Sequence, residues 1–256
     1  MNKRGQVTLF VIIGIIIAVL LILFFYARQT IFFKPNQENL NHILTEVSDG
    51  IIECIGDVGK EPIIRLGLQG GYLNPDDDTF RLYNDTRISY LCYDIPKDEQ
   101  CRNRMLLVSD MEFQLNDALK ARILGCMPNI KSFSRGRPIT IEVPNDLKVK
   151  TTIKIKDIDA TVLYSIVIRS KDSQYKVQKG EFTKTFDIPL GDLYNAAHDI
   201  IDAETTSGDF DQLFYMIAKK ADYKIYKYRP YPDKIYILKR SDNPYQFQFA
   251  VQGEPG

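Results

Sequence analysis

The sequence predicts an α+β chain: an N-terminal transmembrane helix, then a helical pair and an antiparallel sheet with additional helices. Three observations predict it. An uncharged apolar run fills residues 7–26. Apolar residues recur at helical spacing in two stretches between residues 40 and 126. From Ile139 onward the period shortens to two. Helices and strands that come in blocks, rather than in strict alternation, belong to the α+β class.

Val7 to Tyr26 reads VTLFVIIGIIIAVLLILFFY. A hydrocarbon core of roughly 30 Å needs about 20 helical residues, so the run predicts a membrane span, with membrane lipid as its partner through residues 7–26. A cleaved secretory signal has an apolar stretch of roughly 7–15 residues that ends at a small-x-small site. Here Phe24, Phe25 and Tyr26 stand where small residues belong, so the helix is expected to stay attached. Lys3 and Arg4 before the run bias the N-terminus toward the cytoplasm. The expected localisation is therefore the cell membrane, single-pass, with the C-terminal domain extracellular. The expected segments are a leader (1–5), the transmembrane helix (6–28), a linker (29–39), a disulfide-linked helical subdomain (40–130) and an α+β ectodomain (131–256).

Beyond the linker, Leu40, Ile43, Leu44, Val47, Ile51, Cys54, Ile55 and Val58 form one helical stripe. Gly59 is expected to stop or kink it, Pro62 to open a short continuation, and GLQGGY (67–72) to end it. Residues 73–104 read as irregular. Ser109 and Glu112 form a capping-box pattern that opens a helix carrying Met111, Leu115, Leu119, Ile123 and Cys126, bounded by Pro128. Alternation at Ile139–Val143 and Val149–Ile155, the apolar run Thr161–Ile168, and Phe182 with Phe186 read as antiparallel strands. A helix follows from Pro189, then a break at Ser207–Asp209. A second helix is expected to gather Phe210, Leu213, Phe214, Ile217 and Ala221. Strands near Tyr223–Tyr228, Lys234–Leu238 and Tyr245–Val251 close the chain.

Charge argues against nucleic acid as a partner. The chain has 33 basic and 33 acidic residues, and residues 1–28 hold three of the basic and none of the acidic, so the remainder carries a formal −3. That is no electrostatic footprint for a polyanion. The mixed segment YKIYKYRPY (223–231) accordingly reads as a half-exposed strand rather than a base-stacking platform.

Four cysteines allow three connectivities. Cys54 and Cys126 lie on apolar helical faces, and Cys92 and Cys101 flank a short polar stretch. The favoured pairing is Cys54–Cys126 and Cys92–Cys101, against four reduced, buried thiols. Two bridges would suit an oxidising compartment.

Catalytic motifs are sparse. No G-x-S-x-G, H-E-x-x-H or phosphate loop is present. His198 and Asp202 stand four apart on a helix, but one pair does not fill a metal site. Asp76–Asp78 lack the alternation of a calcium loop and read as a solvated turn. No catalytic, cofactor-binding or metal-binding residue is expected, and the chain is not expected to be an enzyme. Asn84-Asp85-Thr86 is a glycosylation sequon.

Lys3-Arg4-Gly5-Gln6 ahead of the apolar run resembles the class III leader of archaeal type IV pilin-like proteins. The resemblance implies cleavage after Gly5, a mature chain starting at Gln6, and an apolar helix that first anchors and then packs in a filament core. Phe10 departs from the pattern, since many pilins carry Glu there. The helix bearing Cys54, the GLQGGY turn, the helix ending at Cys126 and the segment Tyr245–Ala250 are similar to a group of archaeal surface proteins with no established activity. The expected function is a pilin-like cell-surface protein acting through protein–protein contacts, possible copies of itself included, as a minor filament or envelope component. A receptor-type ligand-binding ectodomain is the alternative, and an anchored extracellular enzyme the third reading.

Overall fold

The computed structural model describes residues 12–25, 36–93, 101–171, 174–220 and 222–253. In order, the elements are a helix over residues 12–25 (α1), α2 (Gln37–Leu68), β1 (Phe80–Tyr83), β2 (Thr86–Tyr93), β3 (Arg102–Asn103), α3 (Val108–Cys126) and a 3₁₀ turn (Ile130–Ser134). Then come β4 (Ile139–Glu142), β5 (Lys148–Ile153), β6 (Ile158–Ser170), β7 (Lys176–Phe186), α4 (Leu190–Ser207), α5 (Gln212–Ala218), β8 (Tyr223–Tyr228), β9 (Lys234–Arg240) and β10 (Gln246–Val251).

The transmembrane helix of the expected fold is corrected by this structure. α1, as far as it is described, covers residues 12–25. The much longer α2 carries charges along its length. Among the described residues, no helix is long and apolar enough to cross a membrane. That finding overturns the single-pass, signal-anchor and cell-membrane readings. Residues 7–11 and 26 of the expected span, Gly5 and Gln6 of the expected leader, and residues 29–35 of the expected linker lie outside the described residues.

The chain divides into two compact units. The first comprises residues 1–46, 129–143 and 166–179. Its described part holds α1, the first turns of α2, the 3₁₀ turn, β4, the end of β6 and the start of β7. β4 pairs antiparallel with β6 from Ile139↔Ser170 to Glu142↔Val167. Leu40, Ile43, Ile130, Ile139, Ile166 and Ile168 are buried in it.

The second unit comprises residues 47–128, 144–165 and 180–256. Its main sheet runs β1-β2-β10-β9-β8, with β3 on β2. The expected all-antiparallel sheet fails at one seam, because β10 pairs parallel with β2. The region 73–104, expected to be irregular, supplies three of these strands. β1 and β2 join through Asn84 and Asp85, both at positive φ (47° and 60°). That is the twist a two-residue hairpin needs, and Asn and Asp tolerate it better than other side chains.

α2 also runs on where a stop was expected. Gly59 and Pro62 lie inside it. Any side chain at 59 would collide with the Phe186 ring, so glycine there serves packing. The flanking Ile55, Ile63 and Leu66 are fully buried, and that burial offsets the roughly 3 kcal/mol a mid-helix proline costs. The helix ends at GLQGGY, where Gly70 and Gly71 take φ of 72° and 91° and the Gly71 N–H returns to the Leu66 carbonyl. α3 starts one residue before Ser109, with Leu107 at its N-cap and no side-chain cap. Glu112 serves the sheet instead: its carboxylate accepts the Ile153 N–H at 2.8 Å, and Asn116 accepts the Thr151 N–H at 2.6 Å. The two side chains satisfy amides of β5 that its neighbour β6 leaves open.

The structure joins Cys54 to Cys126 and Cys92 to Cys101, with Cα–Cα distances of 5.7 and 5.2 Å. The first bridge fastens α2 to α3. The second ties the end of β2 to the residue before β3. The apolar face expected to seat α5 is turned outward: Leu213, Phe214 and Ile217 are 64–77 % exposed.

Candidate functional site

The densest chemistry lies where the last turn of α4 meets the β8–β9 hairpin, inside the second unit. α4 ends at Ser207 because Gly208 takes the left-handed conformation (φ 74°) and its N–H returns to the Glu204 carbonyl. Glu204 thus sits one turn from a helix C-terminus, where the aligned peptide dipoles disfavour a negative charge. It is also buried, at 3 % exposure. A carboxylate so placed needs cations and donors close by, and the hairpin supplies them.

Lys234, first residue of β9, donates to Glu204 Oε2 at 2.6 Å and to the Gly208 carbonyl, so one ammonium answers both the carboxylate and the open helix end. The Tyr236 hydroxyl, two residues on and therefore on the same side of the strand, donates to Glu204 Oε1. Lys227 of β8 lies 4.0 Å from the same oxygen, with 2 % of its side chain exposed. It donates to Asp209 and to the Phe210 carbonyl at 3.0 Å. Burial pushes the Asp209 carboxyl up, but the hydrogen bond and charge of Lys227, with Lys234 beside it, prevail and hold it below the usual carboxylate range. Arg229 reaches the other Asp209 oxygen at 3.4 Å.

A second buried carboxylate lies in the loop of the same hairpin. Asp233, 3 % exposed, accepts from Arg81, from the Tyr90 hydroxyl at 2.8 Å and from the Gly253 N–H at 3.2 Å. Between the two networks lies a cavity of about 320 Å³ lined by Asp209, Arg229, Tyr231, Pro232, Asp233 and Lys234. The Tyr231–Pro232 peptide bond is cis. The arrangement offers fixed donors and acceptors of both signs around a small opening, which suits recognition of a polar ligand.

Tyrosines anchor much of this unit. Tyr223 donates to Asp192 at 2.7 Å, Tyr215 to Asp199 at 2.8 Å, and the buried Tyr245 to the Ile63 carbonyl at 3.0 Å. Burial, then the adjacent carboxylate, pushes Tyr90 and Tyr223 up to about 12, and drives Tyr215 and Tyr236 further up; burial alone does so for Tyr245. A phenol whose folded value is raised stabilises the fold fully below its unfolded value near 10, and that contribution is lost as pH rises through the folded value. With 15 tyrosines and no tryptophan, an ultraviolet absorbance titration reads this directly. These five are expected to ionise only together with alkaline unfolding. A single smooth transition of all tyrosines near pH 10, with the fold intact, would contradict the buried networks.

The residues singled out from sequence fall elsewhere. His198 and Asp202 are both exposed on α4. Asp76–Asp78 form an exposed turn, closed by Thr79, whose N–H and hydroxyl both donate to the Asp76 carbonyl. Among the described residues no group of three or more His, Cys, Asp or Glu is arranged to hold a metal. Asn84 is exposed at the β1–β2 turn. The YKIYKYRPY segment proves to be β8 and its hairpin, with Tyr226 and Tyr228 each 44 % exposed. Glu204 and Asp233, the two buried carboxylates of the site, were not picked out by sequence reasoning. Glu204 had a visible signal: it falls on the stripe of Ala197, Ile200 and Ile201 at helical spacing, all buried.

No family model, no curated protein and no solved structure matches this chain.

Proposed function

We propose that the protein is a subunit of a multi-copy assembly and acts through protein–protein contacts, with α1 packing against α1 of other copies. The observation that carries this reading is the exposure of α1. The large apolar residues from Ile12 to Phe25 are 44–67 % exposed, on every side of the helix. Apolar surface of that extent marks an interaction site. A single partner covers one stripe of a helix, roughly 100° wide, so a helix apolar all round needs several neighbours. Copies of the same helix provide matching surface on each side. The resemblance of Lys3–Gln6 to a pilin-like leader favours the same partner, because in that family the apolar helix ends in a filament core. The two disulfides accord with a chain that folds in an oxidising compartment.

A photo-cross-linking residue at Ile17 of the full chain, in cells of its native host, tests the proposal. Adducts at two, three and more times the chain mass are expected, and a neighbouring Leu20→Arg change is expected to abolish them. Adducts confined to one unrelated protein, or no adducts at all, would defeat it.

A further inference from the structure

The charges around the β8–β9 hairpin do not balance. Lys227 and Lys234 are matched by Glu204 and Asp209, and Arg81 is matched by Asp233. Arg229 has only a share of Asp209. Its carboxylate neighbour among the described residues is Asp209, at 3.4 Å, which already serves both lysines. Arg229 is also the most open of these cations, with 66 % of its side chain exposed, and it lines the cavity of about 320 Å³.

We infer that this cavity binds an acidic sugar, a pyranose ring bearing one carboxylate. Three properties of the lining select that chemistry. The guanidinium, which shares its one carboxylate with two lysines, calls for a single further negative charge, and its planar fork matches a carboxylate through two parallel hydrogen bonds. The other polar groups are mixed: the Lys234 ammonium donates, and the Asp209 and Asp233 carboxylates accept. A ring of hydroxyls, each both donor and acceptor, satisfies such a set, whereas a fatty acid leaves it unpaired. Phosphate brings a second charge up against Asp209. Finally, Tyr231 stands on the rim with 74 % exposure, and its ring offers a flat apolar surface for the C–H face of a pyranose. The cavity is at the small end of ligand sites, which suits one sugar ring rather than an extended chain lying within it.

The site is built before a ligand arrives. Glu204, Lys227 and Tyr236 are locked by one another behind it, and Asp233 in its wall is held by Arg81 and Tyr90, so binding does not have to order them. Asp209 stays ionised across the neutral range, because Lys227 and Lys234 hold its carboxyl low against the opposing effect of burial.

The test is titration of the full chain with sodium glucuronate, followed by two-dimensional NMR or calorimetry. Glucose, glucosamine and acetate serve as comparison probes, and the methyl glycoside of glucuronate stands for a glycan end. Glucuronate is expected to bind at least tenfold more tightly than glucose and than acetate, with glucosamine weakest. Equal or tighter binding of the methyl glycoside assigns the natural ligand to the end of a glycan; weaker binding assigns it to the free sugar acid. Arg229→Gln is expected to weaken glucuronate binding at least tenfold and leave glucose unchanged. Arg229→Lys is expected to recover part of the loss, and Tyr231→Ala to weaken both sugars. Both positions are exposed, so an unchanged thermal transition separates lost binding from lost fold. Binding of acetate as tightly as glucuronate, equal binding of glucose, or no binding of glucuronate would each overturn the inference.

Discussion

Replacing Cys54 and Cys126 together by alanine is expected to lower the free energy of unfolding by about 4 kcal/mol, and replacing Cys92 and Cys101 by about 3 kcal/mol. The order follows from what each bridge denies the unfolded chain. Cys54–Cys126 closes a separation of 72 residues and Cys92–Cys101 one of 9, so the first removes more conformational freedom. The longer bridge also fastens α2 to α3. Around it, Glu61 of α2 meets Arg122 of α3, and Gly50 faces Pro128 at ordinary packing distance. At the far end, Gly71 packs on Met111, and Gln114 takes the Leu73 N–H at 2.9 Å. Urea unfolding of the two double variants beside the parent chain checks the ranking. Equal costs, or a larger cost for the Cys92 and Cys101 pair, would show that the bridge between α2 and α3 is not the main restraint. Free thiols in the purified parent chain would remove the premise altogether.

Local pattern carried most of the elements, and long-range pairing carried the rest. The helical stripes around Ile43–Val58, Met111–Ile123 and Leu190–Ile201 were legible because burial on one side imposes the 3.6-residue period. The strands from Ile139 onward were legible by the shorter period. β1 and β2 were not, since their turn is Asn-Asp rather than the Asn-Gly or Asp-Gly that announces a hairpin, and Arg81 faces inward to reach Asp233. The parallel seam between Tyr90–Cys92 and Ala250–Val251 had no local signal. Ser109 and Glu112 matched a capping box, but Ile153 competed for the carboxylate and won. Gly59 and Pro62 were read by their propensities, which tertiary burial overrode. The outward face of α5 shows the converse: an apolar stripe establishes that a helix has a face, not that this chain covers it. At the candidate site the hairpin was placed as strands, but its charges were invisible to pattern. The partners of Lys227 and Lys234 come from α4, more than twenty residues earlier, and from Asp209 at its C-terminal side.

Glu204→Ala is expected to destabilise the chain by about 3–5 kcal/mol, the usual cost of leaving a buried charge without its partner. The mechanism is specific. The change removes the acceptor of the Tyr236 hydroxyl and of the Lys234 ammonium together, and leaves Lys227 with Asp209 alone. Glu204→Gln keeps an acceptor for Tyr236 but strips the charge, so its cost is expected to be smaller and of electrostatic origin. If so, a second change that removes the orphaned ammonium should recover part of the loss: Glu204→Gln with Lys234→Met is expected to be less destabilised than the sum of the two single variants, by at least 1 kcal/mol. Acid makes a further distinction. Asp209 is held low in the folded chain, so its contribution is complete above the unfolded carboxylate range near pH 4 and is lost as pH falls through the lowered value. With Glu204 neutralised, Asp209 is the last carboxylate serving both lysines, and the glutamine variant is expected to lose stability more steeply than the parent below pH 4. Denaturant unfolding of the four chains, at neutral pH and again in acid, measures both effects. Strict additivity with parallel acid profiles would mean that Glu204 and Lys234 act independently, and that the buried network at the end of α4 is contact without coupling.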